Sequence, residues 1–246
     1  MNYLVGWIKE HALSGLVWTF LERFGAQCVT FIVSIILARL LDPVVFGTVA
    51  IVTVLMEILN VFIDSGLGSA LIQKKDADDL DFSSVFYFNI FMCVLLYFLL
   101  FFIAPLIAGF YDIPELTSII RVMGLTLIIS GVRNVQRAFV SRNLQFKRFF
   151  FSTLGGTVGS AILGIWMAYR GCGVWALVAQ SLFSNIVGTA ILWLTVKWRP
   201  KPVFSFKRFC GLFTFGWKLL VSSLINTVYN NLRHLGTAKY ISGLKL

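Results

Sequence analysis

Five ionisable side chains lie inside long apolar stretches of the sequence, where they are the residues best placed to do chemistry. Glu22 and Arg23 fall in the first stretch, Glu57 and Asp64 in the second, and Lys218 in the last. A charge in hydrocarbon costs about 2.5 kcal/mol or more, so such side chains usually face protein or water. The sequence therefore predicts a polar path through an apolar structure.

The two acids of the second stretch share one face of a helix. Glu57 and Asp64 are seven residues apart, which places both carboxylates on the same side. Such a face can bind a proton or a cation. We therefore interpret Glu57 and Asp64 as candidate sites for a coupling proton or cation.

The other three charges are candidates for binding an anionic substrate. Arg23 and Lys218 could attract a phosphate or diphosphate group. Glu22 precedes Arg23 but points about 100° away from it around a helix, so the two need not pair. A structural alternative stays open for Glu22, Glu57 and Lys218 alike, and with less weight for Arg23 and Asp64: an interhelical ion pair, or a charged end that reaches an interface.

The sequence carries almost no sign of an enzyme. His11 and His234 are the only histidines, and neither belongs to a metal-binding motif. Neither a glycine-rich phosphate loop nor a nucleophile elbow is present. We therefore predict no catalytic residue, no metal and no cofactor. The four cysteines are far apart and are interpreted as small apolar packing residues: Cys28, Cys93, Cys172 and Cys210.

A run of four acids superficially resembles a metal-binding cluster. Charge-rich loops are usually solvent faces, and two lysines precede this run. We interpret it as a solvated loop that caps the following helix, with Asp81 and Ser84 at the helix start. The run comprises Asp76, Asp78, Asp79 and Asp81.

The composition excludes an ordinary soluble domain. Hydrophobic residues make up 58% of the chain and charged residues 13%, and the mean hydropathy is +0.85. Soluble domains carry about 45–50% apolar and about 25% charged residues. The net charge of +10 would suggest nucleic acid in a soluble protein. Here the cations sit between apolar runs, so we attribute them to membrane topology and predict no nucleic-acid partner.

The apolar runs predict an all-α, polytopic transmembrane bundle of six or seven spans. A spanning helix needs about 20 apolar residues. Asp42 and Pro43 suit the start of the second span, Glu115 suits the first turn of the fourth, and Pro105 should kink or end the third. The predicted spans are 13–40, 45–70, 83–109, 116–139, 148–169, 173–196 and a seventh from near 209.

Lysine and arginine counts predict a cytoplasmic N-terminus, because cytoplasmic loops are enriched in these residues. One set of alternate connections holds 13 of them and the other holds 3. The larger set is Lys9, Lys74, Lys75, Arg133, Arg137, Arg142, Lys147, Arg148, Lys197, Arg199, Lys201, Lys207 and Arg208, and the smaller set is Arg39, Arg121 and Arg170.

Several segments together resemble a known family. The sequence is similar to Wzx-type polysaccharide (O-antigen) flippases, in the polysaccharide transporter branch of the multidrug/oligosaccharidyl-lipid/polysaccharide exporter superfamily. The resemblance covers roughly residues 12–231. Its most specific element is Ala38-Arg39-Leu40 with Asp42-Pro43 and Phe46-Gly47, and it continues through 12–20, 64–73, 81–83, 135–139, 144–147 and 173–178.

The resemblance implies a function in lipopolysaccharide and related polysaccharide biosynthesis. Such flippases exchange undecaprenyl-pyrophosphate-linked oligosaccharide across the bacterial inner membrane by alternating access, coupled to an ion gradient. It implies two pseudo-symmetric helical lobes around a cavity, both termini cytoplasmic, and a polysaccharide assembly machinery as a partner. Cavity charges act in such proteins, and Arg23, Asp64 and Lys218 are the positions to which we transfer this role.

The family has about twelve to fourteen spans, so we expect this chain to represent one lobe and to lack the second. The expected organisation is a cytoplasmic segment at 1–12, a six-span lobe at 13–208, and an incomplete seventh span with an atypical tail at 209–246. A homodimer could restore two lobes. The alternatives are a multidrug or cation-coupled exporter lobe, a non-transporting fragment and, least supported, a membrane-embedded glycosyltransferase or polymerase.

Overall fold

The structure is a computed structural model that describes the backbone of residues 2–64, 66–74 and 76–243. It describes the side chains of residues 15–64, 66–74, 76–214 and 216–230. All regular structure in these ranges is helical. The helices are α1 (Asn2–Leu40), α2 (Pro43–Asp64), α3 (Leu67–Gln73), α4 (Asp79–Phe110), α5 (Leu116–Arg142), α6 (Lys147–Tyr169), α7 (Val174–Thr195) and α8 (Phe206–Gly243).

Six helical segments are long and apolar enough to cross a membrane, which confirms the predicted all-α polytopic fold. They are Gly15–Leu40, Pro43–Gln73, which joins α2 and α3, Asp79–Phe110, Leu116–Arg142, Lys147–Tyr169 and Val174–Thr195. A further candidate span in α8 is bent by 47° between Phe206–Thr214 and Gly216–Asn230. Most predicted span boundaries differ from these by only a few residues.

Small residues of α6 and α7 let these two helices approach closely. A Cβ atom at Gly156 of α6 would lie 2.7 Å from the carbonyl oxygen of Ser184 in α7. The Ser152 hydroxyl donates to the Gly188 carbonyl of α7 at 2.6 Å. Because backbone touches backbone at this crossing, dispersion contacts and a hydrogen bond hold α6 on α7.

Pro105 lies inside α4, and the prediction that it could end this helix early is wrong, since α4 continues to Phe110. A proline cannot donate to the carbonyl four residues earlier, which here belongs to Phe101. Arg121 of α5 places its Nε 3.4 Å from that carbonyl oxygen and its guanidinium 4.0 Å from the Phe101 ring centroid. A neighbouring helix thus supplies the missing donor.

The N-terminus of α4 is capped three residues earlier than predicted. Asp78, not Asp81, is the N-cap: its side chain accepts from the Asp81 N–H at 3.1 Å, and Asp81 accepts in return from the Asp78 N–H. Asp81 is fully buried and pairs with Lys74 at 2.6 Å. The acidic run is therefore cap-forming, as predicted, but Asp81 is not solvated.

The acidic run also ties α8 to the bundle. Arg208 lies 2.9 Å from Asp78, and Lys201 lies 2.7 Å from Asp79. The connections at 74–78, 143–146 and 196–205 define what we call the loop end of the bundle. At this end the hydroxyls of Ser83 and Ser84 accept from the backbone of the connection between α7 and α8.

We predict that Gly156→Ala lowers the thermal stability of the detergent-purified protein. The added methyl meets backbone atoms that cannot move aside, a strain of about 1–3 kcal/mol. Gly47→Ala is the matched control, since a Cβ there meets nothing within 4 Å and gains up to about 1 kcal/mol of helix propensity. Thermal unfolding should show Gly156→Ala below wild type and Gly47→Ala at or above it. Equal midpoints would contradict the close packing.

We predict a pH-dependent effect of Asp78→Ala. The Asp81 N–H bond, and then the Arg208 charge, hold the pKa of Asp78 below its usual range. A carboxylate whose pKa is lower in the folded protein than in the unfolded chain stabilises the fold at pH values above the unfolded pKa of about 3.9. This contribution is lost as the pH falls through the folded-state pKa. Losing the cap should cost about 1 kcal/mol at pH 7. The stability difference from wild type should shrink below about pH 4; a gap that stays constant down to pH 3 would refute it.

Candidate functional site

Polar side chains of α2, α5 and α7 line an open cavity of about 270 Å³, which we call the central cavity. Among them, Glu57, Asp64 and Arg137 are exposed. On α2 the spacing of Glu57, Asn60 and Asp64 is three and then four residues, so all three side chains share one face. Ser181 and Asn185 of α7 follow the same spacing. The helical spacing of polar residues on separate segments therefore places their side chains around one cavity.

Two arginines of α5 supply the positive charge of the central cavity. Arg133 and Arg137 are four residues apart on one helix face and both line it. Sequence reasoning assigned them to a connection, because lysine and arginine near a span end usually mark a cytoplasmic loop. That assignment is wrong, since α5 runs on to Arg142. Their four-residue spacing inside the predicted span 116–139 was the signal that could have identified them.

The end of α5 is held by Arg142, which explains why this helix extends past its apolar stretch. The Arg142 guanidinium donates to the carbonyl oxygens of Leu71 at 2.9 Å and Lys74 at 2.8 Å, at the end of α3. These bonds satisfy carbonyls that α3 leaves free. They also fix α5, and with it Arg133 and Arg137, against α3.

A second cavity of about 170 Å³ lies between α1, α5, α6 and α7 and contains both arginines again. Glu22 of α1 lines it and accepts a hydrogen bond of 2.7 Å from the Thr153 hydroxyl of α6. Glu22 thus contributes to helix packing, as the structural alternative proposed, and also places a carboxylate in the same cavity as the arginine pair.

A third cavity of about 460 Å³ opens where α2 gives way to α3 and includes Asp64 and Arg137. Gly66 at this break has φ +67°, and the carbonyl oxygen of Gly216 in α8 is so close that any Cβ would collide with it. Asn134 of α5 donates to the Ile63 carbonyl at 3.2 Å, which satisfies the end of α2. Glycine is required here by conformation and by space.

The three cavities share their charged residues, so they act as one electrostatic site. Arg137 lines all three, while Arg133 and Asp64 each line two. Both guanidinium groups interact electrostatically with the Asp64 carboxylate. A planar guanidinium binds phosphate oxygens through two parallel hydrogen bonds, and a carboxylate can take up a proton or a cation. The site combines both chemistries.

The sequence-predicted residues divide into two groups. Glu57 and Asp64 line the central cavity together, and Glu22 lines the second cavity. Arg23 and Lys218 have exposed side chains and do not belong to the lining of these three cavities. Among the residues searched, which are those the structure describes, no three His, Cys, Asp or Glu side chains could together hold a metal ion.

Comparison with known proteins identifies related chains of about twice this length. The chain is 27% identical over 212 residues to the succinoglycan biosynthesis transport protein ExoT of Rhizobium meliloti (strain 1021), covering 86% of this chain and 43% of ExoT. It is 27% identical over 242 residues to the teichuronic acid biosynthesis protein TuaB of Bacillus subtilis (strain 168), covering 95% of this chain and 49% of TuaB.

A third relative is the lipopolysaccharide biosynthesis protein WzxC of Escherichia coli (strain K12), 22% identical over 241 residues, which cover 95% of this chain and 48% of WzxC. The chain thus spans about half the length of the curated relatives it matches. No solved structure matches the chain. These relatives confirm the resemblance to Wzx-type proteins seen in the sequence.

The family model described as polysaccharide biosynthesis protein matches residues 36–246, which include α2 to α8 and every charged residue of the site except Glu22. With six candidate spans and a bent seventh, the chain is a multi-pass membrane protein that belongs to the polysaccharide biosynthesis protein family.

Proposed function

We propose that this protein moves undecaprenyl-diphosphate-linked oligosaccharide across the bacterial inner membrane for surface polysaccharide biosynthesis, by alternating access and without catalysis. The observation that carries the proposal is the pair Arg133 and Arg137, placed within a candidate span and lining shared cavities. A pair of cations at span depth needs an anionic ligand or partner. The names of the relatives, one of them a biosynthesis transport protein, support the same function.

The diphosphate of the lipid carrier is the group we assign to the arginine pair. Residues four apart lie about 6 Å from each other along a helix, so Arg133 and Arg137 start from positions that suit two linked phosphates. Each phosphate can accept two parallel hydrogen bonds from one guanidinium. Arg23 and Lys218, exposed on α1 and α8, are proposed to attract the same anion as it approaches the pair.

Ion coupling is proposed to act through Asp64, with Glu57 and Glu22 as further acceptors. Asp64 interacts with both arginines and lines two of the cavities. When Asp64 carries a proton or a bound cation, it no longer neutralises Arg137, and the guanidinium is then available to the diphosphate. Substrate binding and ion binding thereby support each other.

Transport also requires surroundings that this bundle does not supply by itself. We propose that a second helical lobe closes the site, provided by further chain or by a second copy. In this proposal, residues 1–12 form a cytoplasmic segment, residues 13–208 form the six-span lobe, and residues 209–246 form the seventh-span segment with its tail. We also propose that the protein contacts a polysaccharide assembly machinery.

We predict that Arg137→Gln and Arg133→Gln each weaken binding of undecaprenyl diphosphate by roughly 10- to 100-fold. This matches the loss of charge-assisted hydrogen bonds worth about 1.5–3 kcal/mol. Binding to the purified complete gene product is the measurement, with surface polysaccharide in a complemented strain as the second readout. Arg170→Gln is the control, because Arg170 lies over the Trp166 ring at the other end of α6 and does not line these cavities.

Normal binding and normal polysaccharide in Arg137→Gln, at wild-type protein levels, would refute the diphosphate assignment. If deletion of the gene raised drug sensitivity and left surface polysaccharide intact, the exporter alternative would replace the flippase. The two phenotypes are therefore measured in one strain set.

We predict a cytoplasmic N-terminus, with the loop end of the bundle in the cytoplasm. Placing Arg133 and Arg137 inside α5 leaves 11 lysines and arginines on one side against 3 on the other, so the bias persists. Green fluorescent protein fused after Asp76 should be fluorescent, because that position is expected to lie in the cytoplasm. Alkaline phosphatase fused after Gly171 should be active instead, and the reverse pattern would contradict the orientation.

A further inference from the structure

The exposed surface of α1 carries a polar stripe that the proposed site does not include. We call Arg23, Gln27, Thr30 and Ser34 the α1 stripe, and all four side chains are exposed. Their spacing of four, three and four residues keeps them within about 60° of arc on a helix. The stripe covers a rise of about 16 Å along α1.

The other faces of α1 show that this stripe is separate from the lipid-facing surface. The face against α6 includes Trp18, 5.2 Å from the Phe150 ring, and Glu22, bonded to Thr153. A third face is exposed and apolar, with Phe20, Phe24, Phe31 and Ile35. Since α1 already has an apolar exposed face for the acyl chains, the polar face needs a different environment.

The second half of α8 repeats this division into three faces. Lys218, Ser222, Asn226 and Asn230 recur every four residues and are all exposed, and we call them the α8 stripe. Leu219 faces Gly66, and Leu219 and Ser223 line the third cavity. The exposed apolar face consists of Trp217, Val221, Ile225 and Val228.

Helix α4 shows what a purely lipid-facing surface looks like in this protein. Its exposed large side chains from Phe91 to Phe110 are all apolar. An unsatisfied polar group in hydrocarbon costs several kcal/mol. Ser34 donates to the Phe31 carbonyl at 2.8 Å and Asn230 donates to Asn226 at 3.3 Å, within their own helices. The charges of Arg23 and Lys218 and the amide of Gln27 are the groups that require water, protein or a ligand.

The two helices that carry the stripes both border the arginine site, through other faces than the stripes themselves. Arg137 and Phe149 line the second cavity together with Glu22 of α1, and the third cavity together with Leu219 and Ser223 of α8. The two helices thus flank the same pair of residues. Because α1 and α8 both start at the loop end and α5 finishes there, the arginines lie near that end while both stripes extend away from it.

We propose that the α1 and α8 stripes line a water-filled passage and hydrogen-bond the sugar hydroxyls of the carried glycan. This rests on the proposed function, in which the diphosphate occupies the arginine pair. Apart from the cation at the start of each stripe, the side chains are neutral hydroxyls and amides, which both donate to and accept from sugar hydroxyls. A glycan extending from the diphosphate would lie along them.

Cysteine accessibility in the complete gene product tests this, with Cys28, Cys93, Cys172 and Cys210 replaced by serine or alanine. Single cysteines are introduced as Gln27→Cys, Thr30→Cys, Ser222→Cys and Asn226→Cys. Phe31→Cys and Val221→Cys are the matched controls, one residue away at the same depth and on the apolar exposed faces. A charged, water-soluble maleimide should modify the stripe positions at least 10-fold faster than the controls.

Protection by two probes then separates the glycan from the rest of the substrate. Undecaprenyl diphosphate bearing a short oligosaccharide should slow modification of the stripe cysteines at least 5-fold, and undecaprenyl diphosphate without sugar should not. Equal rates at stripe and control positions, equal protection by both probes, or protection by neither would each overturn the inference. Binding of the sugarless probe and its loss in Arg137→Gln report separately on the diphosphate site, so the two proposals can fail independently.

Discussion

Every backbone carbonyl that a helix break leaves free inside this apolar bundle must find a donor in the protein, because hydrocarbon offers none. Helix α5 supplies three of these donors. Arg121 reaches the Phe101 carbonyl that Pro105 leaves without its usual partner, Asn134 reaches Ile63, and Arg142 reaches Leu71 and Lys74. The free carbonyls at the Pro105 site of α4, at the end of α2 and at the end of α3 thus all accept hydrogen bonds from side chains of α5. These bonds fix the depth and rotation of α5.

That constraint has a functional consequence, because the same helix carries the arginine pair. Arg133 and Asn134 are adjacent, so the bond that satisfies the end of α2 also sets the position of Arg133 relative to Asp64. The break between α2 and α3 meets the bend of α8 where Gly66 faces Gly216. A change in the α8 bend would therefore act directly on the helix end that holds Asp64.

Much of the fold could be predicted from the sequence, since a span of about 20 apolar residues is a strong signal. The pairing of Glu57 and Asp64 in one cavity followed from their spacing alone. Arg133 and Arg137 lie inside the predicted span 116–139 but were counted with a connection, because cations near a span end fit a loop and an extended helix equally well. Arg142 favours the extended helix, because it donates hydrogen bonds to the carbonyls of Leu71 and Lys74, which are 71 and 68 residues away in sequence. Likewise, buried Asp81 pairs with nearby Lys74 at 2.6 Å and also contacts Arg208 at 3.5 Å, a residue that is distant in sequence.

The charges of the site imply a coupling that follows from their number. Glu22, Glu57 and Asp64 carry three formal negative charges, against two positive charges on Arg133 and Arg137. A diphosphate added to these five groups would enter a site that is already negative, so in the proposed mechanism its binding is stronger when Asp64 holds a proton or a cation. By linkage, a bound diphosphate must then raise the affinity of those acids for the proton or cation by the same factor. Ion coupling in the proposed mechanism thus needs no separate ion site, because the carboxylates that neutralise the empty arginine pair are the groups that must be discharged when the substrate arrives.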